Sequence, residues 1–398
     1  MRGAMPVLLR IEHDHAEVGG PRRYTYVCSR ASVAPKAPNV ALVQRLAAAS
    51  EREARGIFRV NQRRPTSFDI AALAGVSQPT VSRALSGSRS VSAETRARVM
   101  AAADELHYIV DRHASSLRSR QSRTLGLLFF EDPTPDDTLI NPFYLSMLGS
   151  MVRRCGTAGY DLLISFQQAS GDWHVDFEDS RKADGLILLG YGDYLATRPR
   201  LQQLESQGTH FVRWGAAREG QVGTTVGSDN ELGGRMAAEH LIARGRHNLA
   251  FLGTADAANP EFLERWAGFR TAQKAAGLAV DSRLTIDARP SEESGREAAE
   301  AMLATGLPVD GIFAASDLAA IGAMRTLIDA ERSVPGDVSI VGFDDMVAAR
   351  LADPPLTTIA QDTRGAGEKL VDTLIALVEG GAPDSVLLPV RLIERGSS

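Results

Sequence analysis

Much that would point away from a plain binding protein is missing from this chain. It has two cysteines, Cys28 and Cys155, far apart and outside any metal-ligand spacing. That excludes a disulfide framework or a zinc knuckle, and two lone thiols fit a reducing cytoplasm. No apolar run approaches the roughly 18 residues of a membrane span. Near the N-terminus, Val7 to Leu9 is too short for the apolar core of a secretory leader. No G-x-S-x-G, phosphate-binding loop or H-E-x-x-H motif occurs, so the common hydrolase and nucleotidase signatures are absent. His13 and His15 flank Asp14 without further ligands and read as a solvated loop. Asp344 and Asp345 are adjacent carboxylates at the end of a strand, where neighbours point different ways, so the pair reads as structural.

What is present is unevenly distributed. The 398 residues exceed one ordinary domain, and 44% hydrophobic content supports a sizeable core. Residues 1–123 carry 20 Arg and Lys against 10 Asp and Glu, whereas residues 124–398 carry 24 against 39. A basic front and an acidic back suit a nucleic-acid-binding module joined to a body that avoids nucleic acid.

The stretch from Thr66 to Leu117 organises the front. Thr66 or Ser67 caps a short helix with Asp69 near its positive end, and Ile70, Leu73 and Ala74 recur at helical spacing before Gly75 breaks it. Ser77 caps a second helix, Gln78 to Leu85, with Pro79 in its first turn and Val81, Ala84 and Leu85 inward. A third, Ala93 to His107, carries Val99, Ala102, Ala103 and Leu106 on one face. Two short helices joined through a glycine and supported by a third make a helix-turn-helix. The outer face of the second helix is Gln78, Thr80, Ser82 and Arg83. Arg can fork to guanine and Gln to adenine, while hydroxyls reach phosphates.

AALAGVSQPTVSRALSG followed by VSAETRARVMAAADELHY resembles the DNA-binding headpiece of the LacI/GalR family of bacterial transcription regulators. The resemblance implies base readout by Gln78, Pro79 and Arg83; because proline has no donor, Gln78 and Arg83 carry most of it. Ser77, Thr80 and Ser82 join them as DNA-binding positions. It also implies a hinge over residues 111–123 that folds on the operator and wedges Leu117 into the minor groove, with Arg112 nearby. The family's usual Pro-Asn opening is Val110-Asp111 here, which keeps a cap and loses the proline's rigidity. Residues 1–63 read as a disordered extension, with one amphipathic stretch at Val40 to Ile57. Family members usually begin shortly before the headpiece, so the extension is either an accessory arm or translated upstream sequence with the start near Val60.

From Thr124 onward continuous apolar strands alternate with amphipathic helices. The strands are TLGLLFF, YDLLISF, GLILLG, THFVRWG, NLAFLG, a weaker one at Ser282 to Asp287, GIFAAS and VSIVGFD. Two such sets predict two doubly wound α/β lobes with parallel sheets and a cleft at the strand C-terminal ends. VGSDNELGGRMAAEHLIARGRHNLAFLG, RWAGFRTA, AASDLAAIGAMRTL and PPLTTIAQD resemble the family's effector domain, which is similar to periplasmic sugar-binding proteins. By that resemblance Arg265 and Asp317 hydrogen-bond an effector. Arg265 has the alternative of a surface ion pair, and Asp317 that of capping the next helix. Phe143, Tyr191, Trp214 and Trp173 are candidate walls against a sugar face. The segment Gln167 to Lys182 is short for the family.

Together these readings describe a headpiece over residues 64–110, a hinge over 111–123 and an effector-binding and dimerisation domain over 124–398. The expected function is a cytoplasmic transcription regulator, a repressor of a carbohydrate-use operon, binding palindromic double-stranded DNA as a homodimer. A small carbohydrate is the expected effector, with a purine or nucleoside as the alternative. No cofactor, metal or membrane is called for. The strand-helix body alone would also permit a sugar- or nucleoside-processing enzyme, and the headpiece argues against that.

Overall fold

The computed structural model describes residues 65–108 apart from 86 and 89, and residues 121–398 apart from 132–139, 168–170, 191 and 219. Arg112, Leu117, Tyr191, Cys28 and the extension expected over residues 1–63 lie outside the described residues. The chain forms two compact units that divide between Ile109 and Val110.

Among the described residues the first unit is three helices: α1 (Ser67–Ala74), α2 (Gln78–Leu85) and α3 (Ala93–Glu105). Asp69 closes the start of α1, its carboxylate accepting the Thr66 N–H and hydroxyl, each at 2.7 Å. Gly75 ends α1 at φ 64°, a left-handed turn open to glycine at no cost. Ile70, Val81, Ala84 and Val99 form the small core between the helices. Leu73, expected inward, is 46% exposed, because Ile70, Ala71 and Ala74 occupy the inner face and residue 73 lies about 100° away from Ala74.

The second unit has two lobes, each built on a six-stranded sheet. Lobe 1 contains β1 (Thr124–Phe129), α4 (Pro142–Ala158), β2 (Asp161–Phe166), a π-helical turn (His174–Asp179), β3 (Leu186–Leu189), α5 (Tyr194–Ser206), β4 (Phe211–Trp214) and β5 (Thr224–Ser228). The chain then enters lobe 2 through α6 (Asn230–Ala243), β6 (Leu249–Leu252), α7 (Pro260–Ala275), β7 (Thr285–Ile286), α8 (Glu292–Ala304), β8 (Gly311–Ala314), α9 (Asp317–Asp329), β9 (Ser339–Asp344), α10 (Val347–Leu351) and β10 (Thr357–Gln361). It returns through α11 (Thr363–Val378) and β11 (Val386–Leu388), then crosses once more to β12 (Val390–Ile393).

Strand order is β11-β5-β4-β3-β1-β2 in lobe 1 and β12-β10-β9-β8-β6-β7 in lobe 2. All pairs are parallel except β10 with β12, as continuous apolar strands covered on both faces require. In lobe 1, α4 and α11 cover one face around Leu127, Met147, Met151 and Leu370, while α5 covers the other around Leu186, Leu201 and Leu204. Strand order reverses about β1/β3 in lobe 1 and about β6/β8 in lobe 2, which opens a crevice beyond each reversal. Three departures from the sequence reading stand out. β5 forms from TTVGS, too short and polar to read as a strand. The expected strand at Ser282 to Asp287 is a 3₁₀ turn followed by only Thr285–Ile286. The short Gln167 to Lys182 segment holds a π-helical turn between its strands.

Candidate DNA-binding surface and effector cleft

On the first unit, Ser77, Pro79 and Arg83 are exposed, and Gln78, Thr80 and Ser82 half-buried, along α2. Gln78, Ser77 and Thr80 are held before any ligand arrives. The Gln78 amide donates to Ser67 Oγ at 3.2 Å, tying the head of α2 to the head of α1. The Ser77 and Thr80 hydroxyls share a hydrogen bond of 2.8 Å, so the helix start is closed by its own side chains.

On the second unit a cavity of about 580 Å³ lies between the lobes. It sits beyond the C-terminal ends of β1, β3, β6 and β8, lined there by Phe130, Gly190, Thr254 and Ser316. Lobe 1 presents rings. Phe143 packs 6.0 Å from Trp214 and edge-on to Tyr144 at 5.5 Å, and all three line the cavity. Lobe 2 presents charge. Arg265, 5% exposed, donates through Nε to Asn230 Oδ1 at 2.9 Å and through a second nitrogen to the Ala315 carbonyl. Its guanidinium carbon stacks 3.6 Å over the Phe343 ring. Burial lowers the Arg265 pKa, and the negative charge of Asp344 works against that shift.

Asp344 is the residue that sequence reasoning missed. Its backbone sits at φ 117° and that of Asp345 at 54°, a region that costs a non-glycine residue on the order of 1–3 kcal/mol. The break turns the two carboxylates to separate partners. Asp345 pairs with Arg395 at 2.5 Å, which is structural as expected, whereas Asp344 lines the cleft. Burial pushes the Asp344 carboxyl up to about 7 against the opposing pull of Arg265 and the 2.6 Å hydrogen bond from Gln361 Nε2. The signal that could have found it was its place at the C-terminal end of a continuous apolar strand.

Asp317 corrects the expectation in the other direction. It is completely buried and does not line the cavity. One oxygen accepts the Met346 N–H at 2.7 Å and the other the Thr358 hydroxyl at 2.6 Å, so both are engaged within the protein. Nor does it cap α9; Ser316 does, accepting the Ala319 N–H. Asp317 instead fixes the segment after Asp344 from beneath. Burial, then the charge of Asp344, hold its carboxyl well above the usual range. Trp173 is likewise core, stacked 4.7 Å from the Arg200 guanidinium and packed with Leu201 and Leu204.

The lobes also clasp one another at the cavity edge. The Tyr194 N–H donates to Ala258 O at 2.8 Å, and the Ala216 N–H to Glu261 Oε1 at 2.9 Å. Arg218 lies 3.5 Å from Glu264, whose carboxyl is pushed up to about 7 by burial and by neighbouring Glu261. Among the described residues no group of His, Cys, Asp and Glu could hold a metal ion, and no helix is long and apolar enough to cross a membrane.

The profile of bacterial regulatory proteins of the lacI family matches residues 68–111, and that of the periplasmic binding protein-like domain matches residues 238–398. The HTH-type transcriptional regulator CelR of Thermobifida fusca is 34% identical over 83% of this chain and 96% of its own. A CelR–cellobiose complex is 30% identical with a TM-score of 0.64, covering 84% of this chain and 100% of that one. The Lac repressor dimer bound to operator and the anti-inducer ONPF is 28% identical with a TM-score of 0.70, covering 84% and 99%. The chain therefore belongs to the lacI family: it is a DNA-binding transcription regulator, not an enzyme, with a helix-turn-helix headpiece and a two-lobed periplasmic-binding-protein-like body.

Proposed function

We propose that this chain is the cytoplasmic, homodimeric repressor of a carbohydrate-use operon. In this reading α2 enters the major groove of each half of a palindromic operator, Gln78 and Arg83 read bases, and Ser77, Thr80 and Ser82 hold phosphates. Arg112 and Leu117 belong to a hinge over residues 111–123 that contacts the minor groove, and residues 1–63 are an extension that operator binding does not need. A small carbohydrate enters the cleft between the lobes and changes the hold on DNA through its different affinity for the two lobe arrangements. The observation that carries the reading is the cleft itself, with a buried guanidinium on one wall facing aromatic rings on the other. A donor fork for hydroxyls and flat apolar surface for a sugar's C–H face are what a saccharide needs.

The test is operator binding by fluorescence anisotropy with and without saccharides. A saccharide that weakens or strengthens the operator complex at least tenfold supports the reading; indifference to every saccharide overturns it. In the same assay Arg83→Ala is expected to cost about 1–3 kcal/mol on the operator and to relax one base position. An equal loss on random DNA would reduce Arg83 to a phosphate contact.

A further inference from the structure

The balance of donors and acceptors in the cleft says which kind of carbohydrate fits, an inference that rests on the reading just given. Among the described residues five carboxylates line the cavity, Asp193, Asp256, Glu261, Glu293 and Asp344, against two cations, Arg265 and Arg289. Five helices also begin there, and a free helix N-terminus would welcome a phosphate. Four of those five are closed by side chains. Asn141 accepts the Phe143 N–H at 3.0 Å, Asp193 the Ala196 N–H at 3.1 Å, Ser291 the Ser294 N–H at 3.2 Å, and Ser316 the Ala319 N–H at 3.3 Å. The fifth, α7, has no side-chain cap and opens on Pro260, which removes one of its N–H groups. Two donor groups of Arg265 are already spent on Asn230 and Ala315. An anionic ligand therefore meets excess negative charge, while a ligand rich in hydroxyl donors meets acceptors on several sides.

Size narrows the class further. A cavity of about 580 Å³ is mid-range among clefts of about 300–1,000 Å³ that hold drug-sized ligands, and is roomy for a single ring or a nucleobase. Its aromatic surface comes from both lobes, with Phe130, Phe143, Tyr144 and Trp214 on lobe 1 and Phe262 on lobe 2, enough to face more than one ring. We propose that the effector is an uncharged, hydroxyl-rich saccharide of two rings, and that the cleft discriminates against sugar phosphates and purines.

The experiment is calorimetric titration of the full-length protein with cellobiose, maltose, lactose, glucose, glucose 6-phosphate and hypoxanthine, alongside operator anisotropy. The expected result is one neutral disaccharide binding at least tenfold tighter than glucose, glucose 6-phosphate and hypoxanthine. Glucose, its phosphate or hypoxanthine as the tightest ligand overturns the inference; of these, a sugar leaves the carbohydrate reading standing and hypoxanthine removes it. Silence from all six, with operator binding intact, overturns both. The charge argument has its own variant. Glu293 is exposed at the cavity edge in the first turn of α8, so Glu293→Lys should narrow the discrimination against glucose 6-phosphate at least threefold with only a small fall in melting temperature. Unchanged discrimination would show that the acidic lining does not select the ligand.

Discussion

The two lobes share a fold and a strand order pattern, yet they bring different chemistry to the cleft. Lobe 1 lines it with a cluster of rings, and lobe 2 with buried charge held by a hydrogen-bonded scaffold. Apolar contact is non-directional and tolerates sliding, whereas a guanidinium pinned at both ends fixes orientation. The division suits a switch. A ligand gripped by lobe 2 and covered by lobe 1 is bound fully only when the lobes are at one angle, and its preference for that angle is the energy available for control.

The comparison breaks most visibly at Arg265. Arg265→Ala leaves Asn230 Oδ1 and the Ala315 carbonyl without their donor and takes away the positive charge that opposes the desolvation of Asp344; each buried polar group left unsatisfied costs about 1–3 kcal/mol. Asp344 can take up a proton to offset the lost charge, so the two acceptors set the cost, and loss of effector response with retained operator binding is expected. Thermal melts and anisotropy measure both. Full response in the variant would remove Arg265 from the site. Asp317→Ala should cost less, about 1–3 kcal/mol, by leaving the buried Met346 N–H and Thr358 hydroxyl without their acceptor. It should weaken effector binding indirectly, by loosening the Asp344 segment. Asp317→Asn, which can still accept one of the two bonds, should restore part of the affinity; direct contact with effector would predict no such rescue.

These two aspartates mark where the sequence was legible and where it was not. The strands around Leu125 to Phe129 and Leu186 to Leu189 could be read because a strand buried on both faces must be apolar throughout. The three headpiece helices were legible from their caps and breakers, and Arg265 from its motif. β5 was not, since Thr224 and Thr225 take their places through sheet neighbours distant in sequence. Asp344 was hidden because the alternation argument assumes strand geometry, which its positive φ abandons. Asp317 was placed in the cleft because a motif fixes a residue's position on the backbone, not the partners its carboxylate will find; Thr358 is 41 residues away.

A smaller effect sharpens the lobe 1 side. Phe143→Leu keeps most of the buried area and removes the ring that meets Trp214 and Tyr144, a loss of about 0.5–1.5 kcal/mol for the aromatic geometry. Saccharide affinity should fall up to about tenfold, with the best ligand unchanged. A change in which saccharide binds best would mean that lobe 1 sets orientation after all, contrary to the division drawn above.

The smallest effect is a proton count. Among the described residues three carboxyls are pushed up to about 7 by burial: Glu178 in lobe 1, and Glu264 and Asp344 in lobe 2. Each is raised above its unfolded value of 4.5 or 3.8, so the folded chain keeps protons that the unfolded chain has already lost. Their contribution to stability is therefore fullest at low pH, falls as pH rises from about 4 through 7, and is flat above. The lobes differ in what an effector does to this. Glu178 accepts the His210 N–H at 2.7 Å, just before β4 begins, at the strand end away from the cleft. Asp344 lines the cleft, and a ligand hydroxyl donating to it favours the ionised form. Saccharide binding at pH 7 should thus release a fraction of a proton, seen as a calorimetric enthalpy that varies with the ionisation heat of the buffer. Asp344→Asn should abolish most of that release, and Glu178→Gln should leave it unchanged. The reverse outcome would put the titrating group in lobe 1, and with it the polar half of the grip.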